Sequence, residues 1–202
     1  MLTTPIIATP VIKEQFNQHK AGWKKSFIEG ISQDEKGNPL PWITYPAIEY
    51  LEKTITKDHD IFEFGCGAST LYFSKRVRKV CGLETSSKWL EITQKMLKKE
   101  NANNVDITLM EDGFDNNAYE NFVKNLGPKF DFIIVDSLKR FKCVQNSISA
   151  LKPNGILILD DSERKSYRKM FEFLAENGFK TKSFEGIAPG QIKPKNTTLI
   201  FR

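Results

Sequence analysis

Five short apolar runs, each ending on or beside an acid, limit most strongly what this chain can fold into. They are "IFEF" from Ile61, "KVCGLE" from Lys79, "VDITLM" from Val105, "FDFIIVD" from Phe130 and "GILILDD" from Gly155. Such runs are short for helices, and the most uniformly apolar of them read as strands buried on both faces. Between them lie longer stretches with helical spacing. Ser69–Val77 starts from a Ser69 or Thr70 cap, and Ser87–Lys99 repeats Leu90, Ile92, Met96 and Leu97 behind serines. Further helices are expected near Ala118–Leu126 and Lys142–Leu151, the latter broken by "KPNG". Arg164–Asn177 carries Met170, Phe171, Leu174 and Ala175 on one face, and Gly178 stops it.

Strands that alternate with helices need crossover connections, which give a mostly parallel sheet covered on both sides. Two last strands, Phe179–Phe184 and Thr197–Phe201, have no helical pattern between them. They are expected to pair antiparallel at one edge. The expectation is therefore a three-layer α/β fold with seven strands, mostly parallel, one antiparallel. Residues 1–55 differ: "GNPLPWITYPAIEYLEK" from Gly37 holds three prolines and then a helix from about Pro46. They read as an N-terminal helical extension packing on the core, and 56–202 as the main domain.

The chain has 202 residues, 40% hydrophobic and 27% charged, which suits one domain with a substantial core. No apolar run approaches the ~20 residues that span a bilayer. The start, "MLTTPIIATPVIKEQ", shows no basic region before an apolar segment, so the expected location is the cytoplasm. Cys66, Cys81 and Cys143 are an odd, scattered set without a CxxC pair, which reads as reduced thiols. Net charge is +5, but the lysines are dispersed, with no basic arm or helix-turn-helix signature. Nucleic acid is thus an unfavoured partner, and no membrane partner is expected.

In open parallel sheets ligands sit beyond the carboxyl ends of the strands. Glu63, Glu84, Asp112, Asp136 and the pair Asp160–Asp161 all fall there. The row Gly65-Cys66-Gly67-Ala68-Ser69-Thr70 lacks the third glycine of a dinucleotide loop, and no Gly-Lys-Ser/Thr follows. What remains is a two-glycine loop at a helix start, with Glu84 placed 17 positions after Gly67 to accept ribose hydroxyls.

From about Asp60 onward the sequence resembles the class I S-adenosylmethionine-dependent methyltransferases. "FEFGCGAS" is similar to their acid-x-Gly-x-Gly motif, with Ser69 where the family has a third glycine, and "GLETS" to their second-strand motif. "MEDGF", "FDFIIVDS" and "LKPNGILILDDS" are similar to the third-, fourth- and fifth-strand segments. The resemblance implies a Rossmann-like fold and S-adenosylmethionine as cofactor. It implies a binding set of Glu63, Gly65, Cys66, Gly67, Glu84, Asp112, Gly113 and Asp136. The glycines would meet the methionine part, Glu84 the ribose and Asp112 the adenine. Glu63 would partner the ammonium group.

Each residue also has a plainer reading. Gly65 and Gly67 suit any strand-to-helix turn, Glu84 could cap the next helix, and Asp112-Gly113 is a common turn pair. Trp42 and Tyr45 could help close the pocket, though packing is the better account. Asp136 or Asp160 is expected as base or acceptor-orienting group in methyl transfer to a small acceptor. With "WITYPAIEYL" before the first motif and "DDSER" after strand five, the chain resembles small bacterial methyltransferases of sugar or surface-polysaccharide modification, which implies a sugar or polysaccharide-precursor hydroxyl as acceptor. The alternatives are a cofactor-binding module without transfer activity and a nucleic-acid methyltransferase. Asp136, Asp160 and Asp161 could together hold Mg²⁺, but a site without metal is favoured. Lys139, Arg140 and Arg164 lie just past strands four and five, where they could meet an anionic acceptor. Surface salt bridging is the better account of them.

Overall fold

Residues 9–111, 117–127 and 129–202 are described in a computed structural model. The chain runs α1 (Pro10–Glu29), α2 (Tyr45–Thr54), β1 (Asp60–Phe64), α3 (Ala68–Ser74), β2 (Lys79–Glu84) and α4 (Ser87–Lys99). It continues with β3 (Val105–Leu109), α5 (Ala118–Asn125), β4 (Phe130–Val135), α6 (Arg140–Ser147) and β5 (Leu151–Leu159). It ends with α7 (Arg168–Glu176), β6 (Lys180–Gly186) and β7 (Lys195–Phe201).

The sheet order is β3-β2-β1-β4-β5-β7-β6. Strands β1 to β5 pair in parallel, and β7 runs antiparallel to both β5 and β6. The expected seven-stranded, mostly parallel α/β sheet is present. The antiparallel member lies one place inside the edge, so the edge strand is β6.

Side chains along the central strands alternate between two cores, as a period of two requires. Phe62, Phe64, Ile133, Val135, Leu157, Leu159 and Ile200 face α5, α6 and α7, meeting Val123, Val144 and Leu174. Ile61, Phe132, Ile134, Ile158 and Leu199 face the other way, toward Ile12 of α1, Ile48 and Leu51 of α2, and Tyr72 of α3. Both faces of β1, β4 and β5 are therefore dry, which is why those strands read as unbroken apolar runs.

Helix α1 has good local signals. Thr9 caps it, Pro10 follows at the first turn, and Gly30 ends it at φ 67°. It buries only Ile12, Gly22 and Ser26, and Phe27 and Ile28 stay exposed. That weak apolar stripe explains why spacing alone does not disclose it. Two other boundaries differ from the expectation. α6 begins at Arg140 and gives way to a 3₁₀ turn over Ile148–Ala150. β5 begins at Leu151, and "KPNG" is an irregularity inside the strand, where the β4 register shifts between Phe130 and Phe132.

Polar bonds tie the extension to the far end of the chain. The Trp23 indole donates to the Gln191 carbonyl at 2.9 Å and the Trp42 indole to the Pro189 carbonyl at 2.7 Å. Lys195 Nζ donates to the Trp42 carbonyl at 2.9 Å, and Tyr45 N donates to the Ile187 carbonyl at 3.0 Å. The segment between α1 and α2 thus lies along the edge where the parallel strands end.

Candidate cofactor cleft

The turn after β1 shapes the site. Gly65 sits at φ 89°, and a Cβ there would lie 2.7 Å from the Asp136 carbonyl oxygen, so only glycine fits. Gly67 has extended backbone at φ 175°, and a Cβ built on it meets nothing within 4 Å. One glycine is required by the chain, and the other leaves open space. Gly67 N donates to Thr70 Oγ1 at 3.0 Å, which secures the first turn of α3. Gly82 on β2 makes room for the Cys66 thiol, since a Cβ there would meet Sγ at 2.4 Å.

Glu84 ends β2 and is held by three backbone N–H groups. Oε2 accepts from Cys66 at 2.8 Å; Oε1 accepts from Thr85 at 2.7 Å and Ser86 at 2.8 Å. A carboxylate has about four acceptor sites, so one remains on Oε2. The capping alternative is only partly met: it is Ser86 whose hydroxyl accepts from Trp89 N at the start of α4.

These groups open onto a cavity of about 300 Å³. Gly65, Cys66, Gly67 and Ser69 line it, together with Glu84 and Asp136. Ile31, Ser32 and Trp42 from the extension line it too, as do Trp89 and Met96 of α4. Sequence reading missed four of these. Trp89 and Met96 are seven apart on one helix face, a signal that was present. Ile31 and Ser32 reach the cavity only through the fold and carry no local signature. Tyr45 packs against His19 with ring centroids 3.9 Å apart and is not among the lining residues.

The remaining acids are placed differently from one another. Glu63 is fully buried beneath the loop, and neither carboxylate oxygen has a hydrogen-bond partner. Burial, with repulsion from Asp136 and Glu84, pushes its pKa up to about 7; the nearby Ser69 and Thr70 hydroxyls only moderate this. It does not line the cavity, so direct contact with a ligand ammonium group is not what this geometry offers. Asp136 lines the cavity and its Oδ1 accepts from Arg140 Nη2 at 2.7 Å. Asp160 is 1% exposed and engaged by Lys195 Nζ and by Thr197 Oγ1 at 2.8 Å. It holds β7 against β5 and stands outside the cleft lining, so it is not carried forward as a base. Asp112 and Gly113 lie outside the described residues.

Among the described residues no three His, Cys, Asp or Glu side chains are grouped to hold a metal ion. Asp136, Asp160 and Asp161 end neighbouring strands, but their oxygens meet Arg140, Lys195 and Arg164. No described helix is long and apolar enough to cross a membrane.

The site fits an adenosylmethionine-like molecule on two counts. The open face of Gly67 admits close approach of a ligand, and Glu84 is a fixed carboxylate with an acceptor position to spare.

No protein-family profile and no curated protein matches the sequence. Solved structures do. An O-methyltransferase from Bacillus cereus in complex with SAH superposes with a TM-score of 0.67 at 15% identity, over 96% of this chain and 97% of that one. The alignment therefore takes in most of the N-terminal extension. A precorrin-6y C5,15-methyltransferase from Geobacter metallireducens gives 0.59 at 18% identity, over 80% and 92%. An rRNA methylase from Streptococcus thermophilus gives 0.55 at 14%, over 76% and 92%. At these identities the likeness is one of fold: the chain has the Rossmann-like fold of the class I S-adenosylmethionine-dependent methyltransferases.

Proposed function

We propose that the protein is an S-adenosylmethionine-dependent methyltransferase whose acceptor is a small molecule bearing a hydroxyl, with a sugar-like compound the best candidate. The observation that carries the reading is Glu84, clamped by three backbone N–H groups in the lining of a cleft that Gly67 leaves open. Clamping fixes the carboxylate before any ligand arrives, so little ordering remains to oppose binding.

Gly65, Cys66 and Gly67 would lie against the amino-acid part of the cofactor and Glu84 against its ribose. Asp112 and Gly113 keep their proposed place at the adenine from the sequence alone. When bound, the cofactor supplies a methyl group already activated on a positively charged sulfur. The chain then has mainly to align the acceptor and exclude water. Asp136 is the residue for that task. Arg140 engages Oδ1, which leaves Oδ2 to accept the proton of an acceptor hydroxyl. Trp42, fixed through its indole N–H, lines the same cavity. An aromatic side chain and a carboxylate in one cavity suit a polyhydroxy compound.

A nucleic-acid acceptor is less well supported. Arg140 and Lys195 are occupied by Asp136, Asp160 and Asp161 and are not offered to phosphates.

The test is calorimetric titration with adenosylhomocysteine. The wild type should bind, and Glu84→Ala should weaken binding by about tenfold or more, from loss of a charge-assisted hydrogen bond and of the loop's anchor. No binding by the wild type would end the reading. Equal affinity in the variant would remove Glu84 from it.

A further inference from the structure

Arg140 occupies a position that local structure does not explain. It is the first residue of α6, where the helix dipole disfavours a cation. The residue before it, Lys139, has φ 48°, unusual outside glycine. Yet the Arg140 side chain is only 11% exposed, against 48% for Arg164 nearby. One guanidinium nitrogen, Nη2, lies 2.7 Å from Asp136 Oδ1 and 3.2 Å from Asp161 Oδ2, and Nε has no partner. Asp161 in turn sits at φ 53°, and its other oxygen, Oδ1, is 3.4 Å from Lys195 Nζ.

A single guanidinium nitrogen therefore bridges carboxylates from the ends of two adjacent strands, one of which, Asp136, lines the cleft. Bridging of this kind is what a small divalent cation does with carboxylates. Here the chain supplies the charge itself. Burial works against the charge on Arg140, but Asp136 and Asp161 outweigh it. Asp161 is likewise kept in its charged form, burial being overcome by Lys195, Arg140 and Arg164. An incoming metal ion would be repelled by the positive charges of Arg140, Lys195 and Arg164, which already engage the three acids.

We propose that Arg140 is a built-in substitute for a divalent cation: a positioning residue that fixes Asp136 at the acceptor side of the cleft and makes that side independent of metal. The proposal rests on the reading of Asp136 given above.

The test uses the purified full chain and Mn²⁺ alone, followed by loss of the free-ion electron paramagnetic resonance signal. The wild type should take up no Mn²⁺ at millimolar concentration. Arg140→Ala should bind at least about tenfold more tightly than the wild type. Arg140→Lys, which keeps the charge, should not gain binding, and adding Asp161→Asn to Arg140→Ala should abolish the gain. An arginine that only packed α6 would produce no such pattern. Should Arg140→Ala fail to fold, Arg140→Gln removes the charge while keeping a donor for Asp136, and carries the same expectation. Wild-type Mn²⁺ binding that Asp136→Asn or Asp161→Asn abolishes would overturn the proposal. So would charge-removing variants that bind no better than the wild type. The cofactor reading fails separately: absent adenosylhomocysteine binding refutes that reading and leaves the Mn²⁺ pattern intact.

Discussion

Gly65 and Gly67 are two positions apart and answer to different demands. A methyl group on Gly65 collides with the Asp136 carbonyl and requires φ 89° of a residue with a side chain. Gly65→Ala should therefore destabilise the fold by about 1–3 kcal/mol, read from urea unfolding. Gly67→Val should unfold at nearly the wild-type midpoint, because its Cβ enters open space, and yet bind no adenosylhomocysteine. If both variants lost stability equally, the division between a structural and a ligand-facing glycine would be wrong. The motif showed that both glycines mattered; it could not separate their reasons, which depend on what the β4 backbone places beside them.

Glu63 makes a pH prediction at the same scale. Unfolded, its carboxyl releases its proton near 4.5; folded, burial holds the proton to about 7. The native state thus binds more protons across that interval. This contribution to stability is full below pH 4.5 and is lost as pH rises through 7. The whole effect is of order 3 kcal/mol for a group so deeply buried. Glu63→Gln keeps the shape without the charge, so its melting temperature should gain on the wild type steadily from pH 5 to pH 8. Parallel melting curves across that range would show that Glu63 does not titrate there.

At the scale of elements, the join between β5 and β7 carries a buried ion pair. Lys195, 7% exposed, opens β7 and meets Asp160 at the end of β5; it also donates to the Trp42 carbonyl. Lys195→Met leaves Asp160 in a dry site with only Thr197 for company. The loss should be about 3–5 kcal/mol by urea unfolding. It should be smaller at pH 6 than at pH 8, because burial raises the Asp160 carboxyl, loss of Lys195 raises it further, and protonation relieves the unpaired charge. The double change Lys195→Met with Asp160→Asn should recover most of it. The elements themselves were legible where burial was two-sided: β1, β4 and β5 announce themselves because both faces are apolar. The acid at the tip of β5 was legible as a residue but not as a role. Its partner stands 35 positions later, on a strand whose antiparallel insertion brings the two together.

For the molecule as a whole, what sequence could show was the order of strands and helices, and hence the edge on which the candidate cleft lies. It could not show which side chains outside the motifs would reach that edge. Ile31 and Ser32 have no pattern of their own, and α1 shows almost no apolar stripe; the extension that carries them is tied down by bonds to residues some 150 positions away, such as Trp42 to Pro189. The same long-range ties make a prediction about domain structure. Ile12, Ile43, Tyr45, Ala47, Ile48 and Leu51 are all buried in the core that covers Ile61, Ile134, Ile158 and Leu199. Burying aliphatic side chains the size of Ile12, Ile43, Ile48 and Leu51 stabilises by about 1.5–3 kcal/mol each, and the four together approach the whole net stability of a typical domain. Residues 56–202 expressed alone should therefore lack a cooperative thermal transition and should bind a hydrophobic dye, while retaining far-ultraviolet circular dichroism. Adding residues 1–55 as a separate peptide should restore cooperativity at concentrations above its dissociation constant. A sharp two-state melt of the shorter chain would instead make the N-terminal extension an accessory to a self-sufficient core, its role then confined to the wall of the cleft.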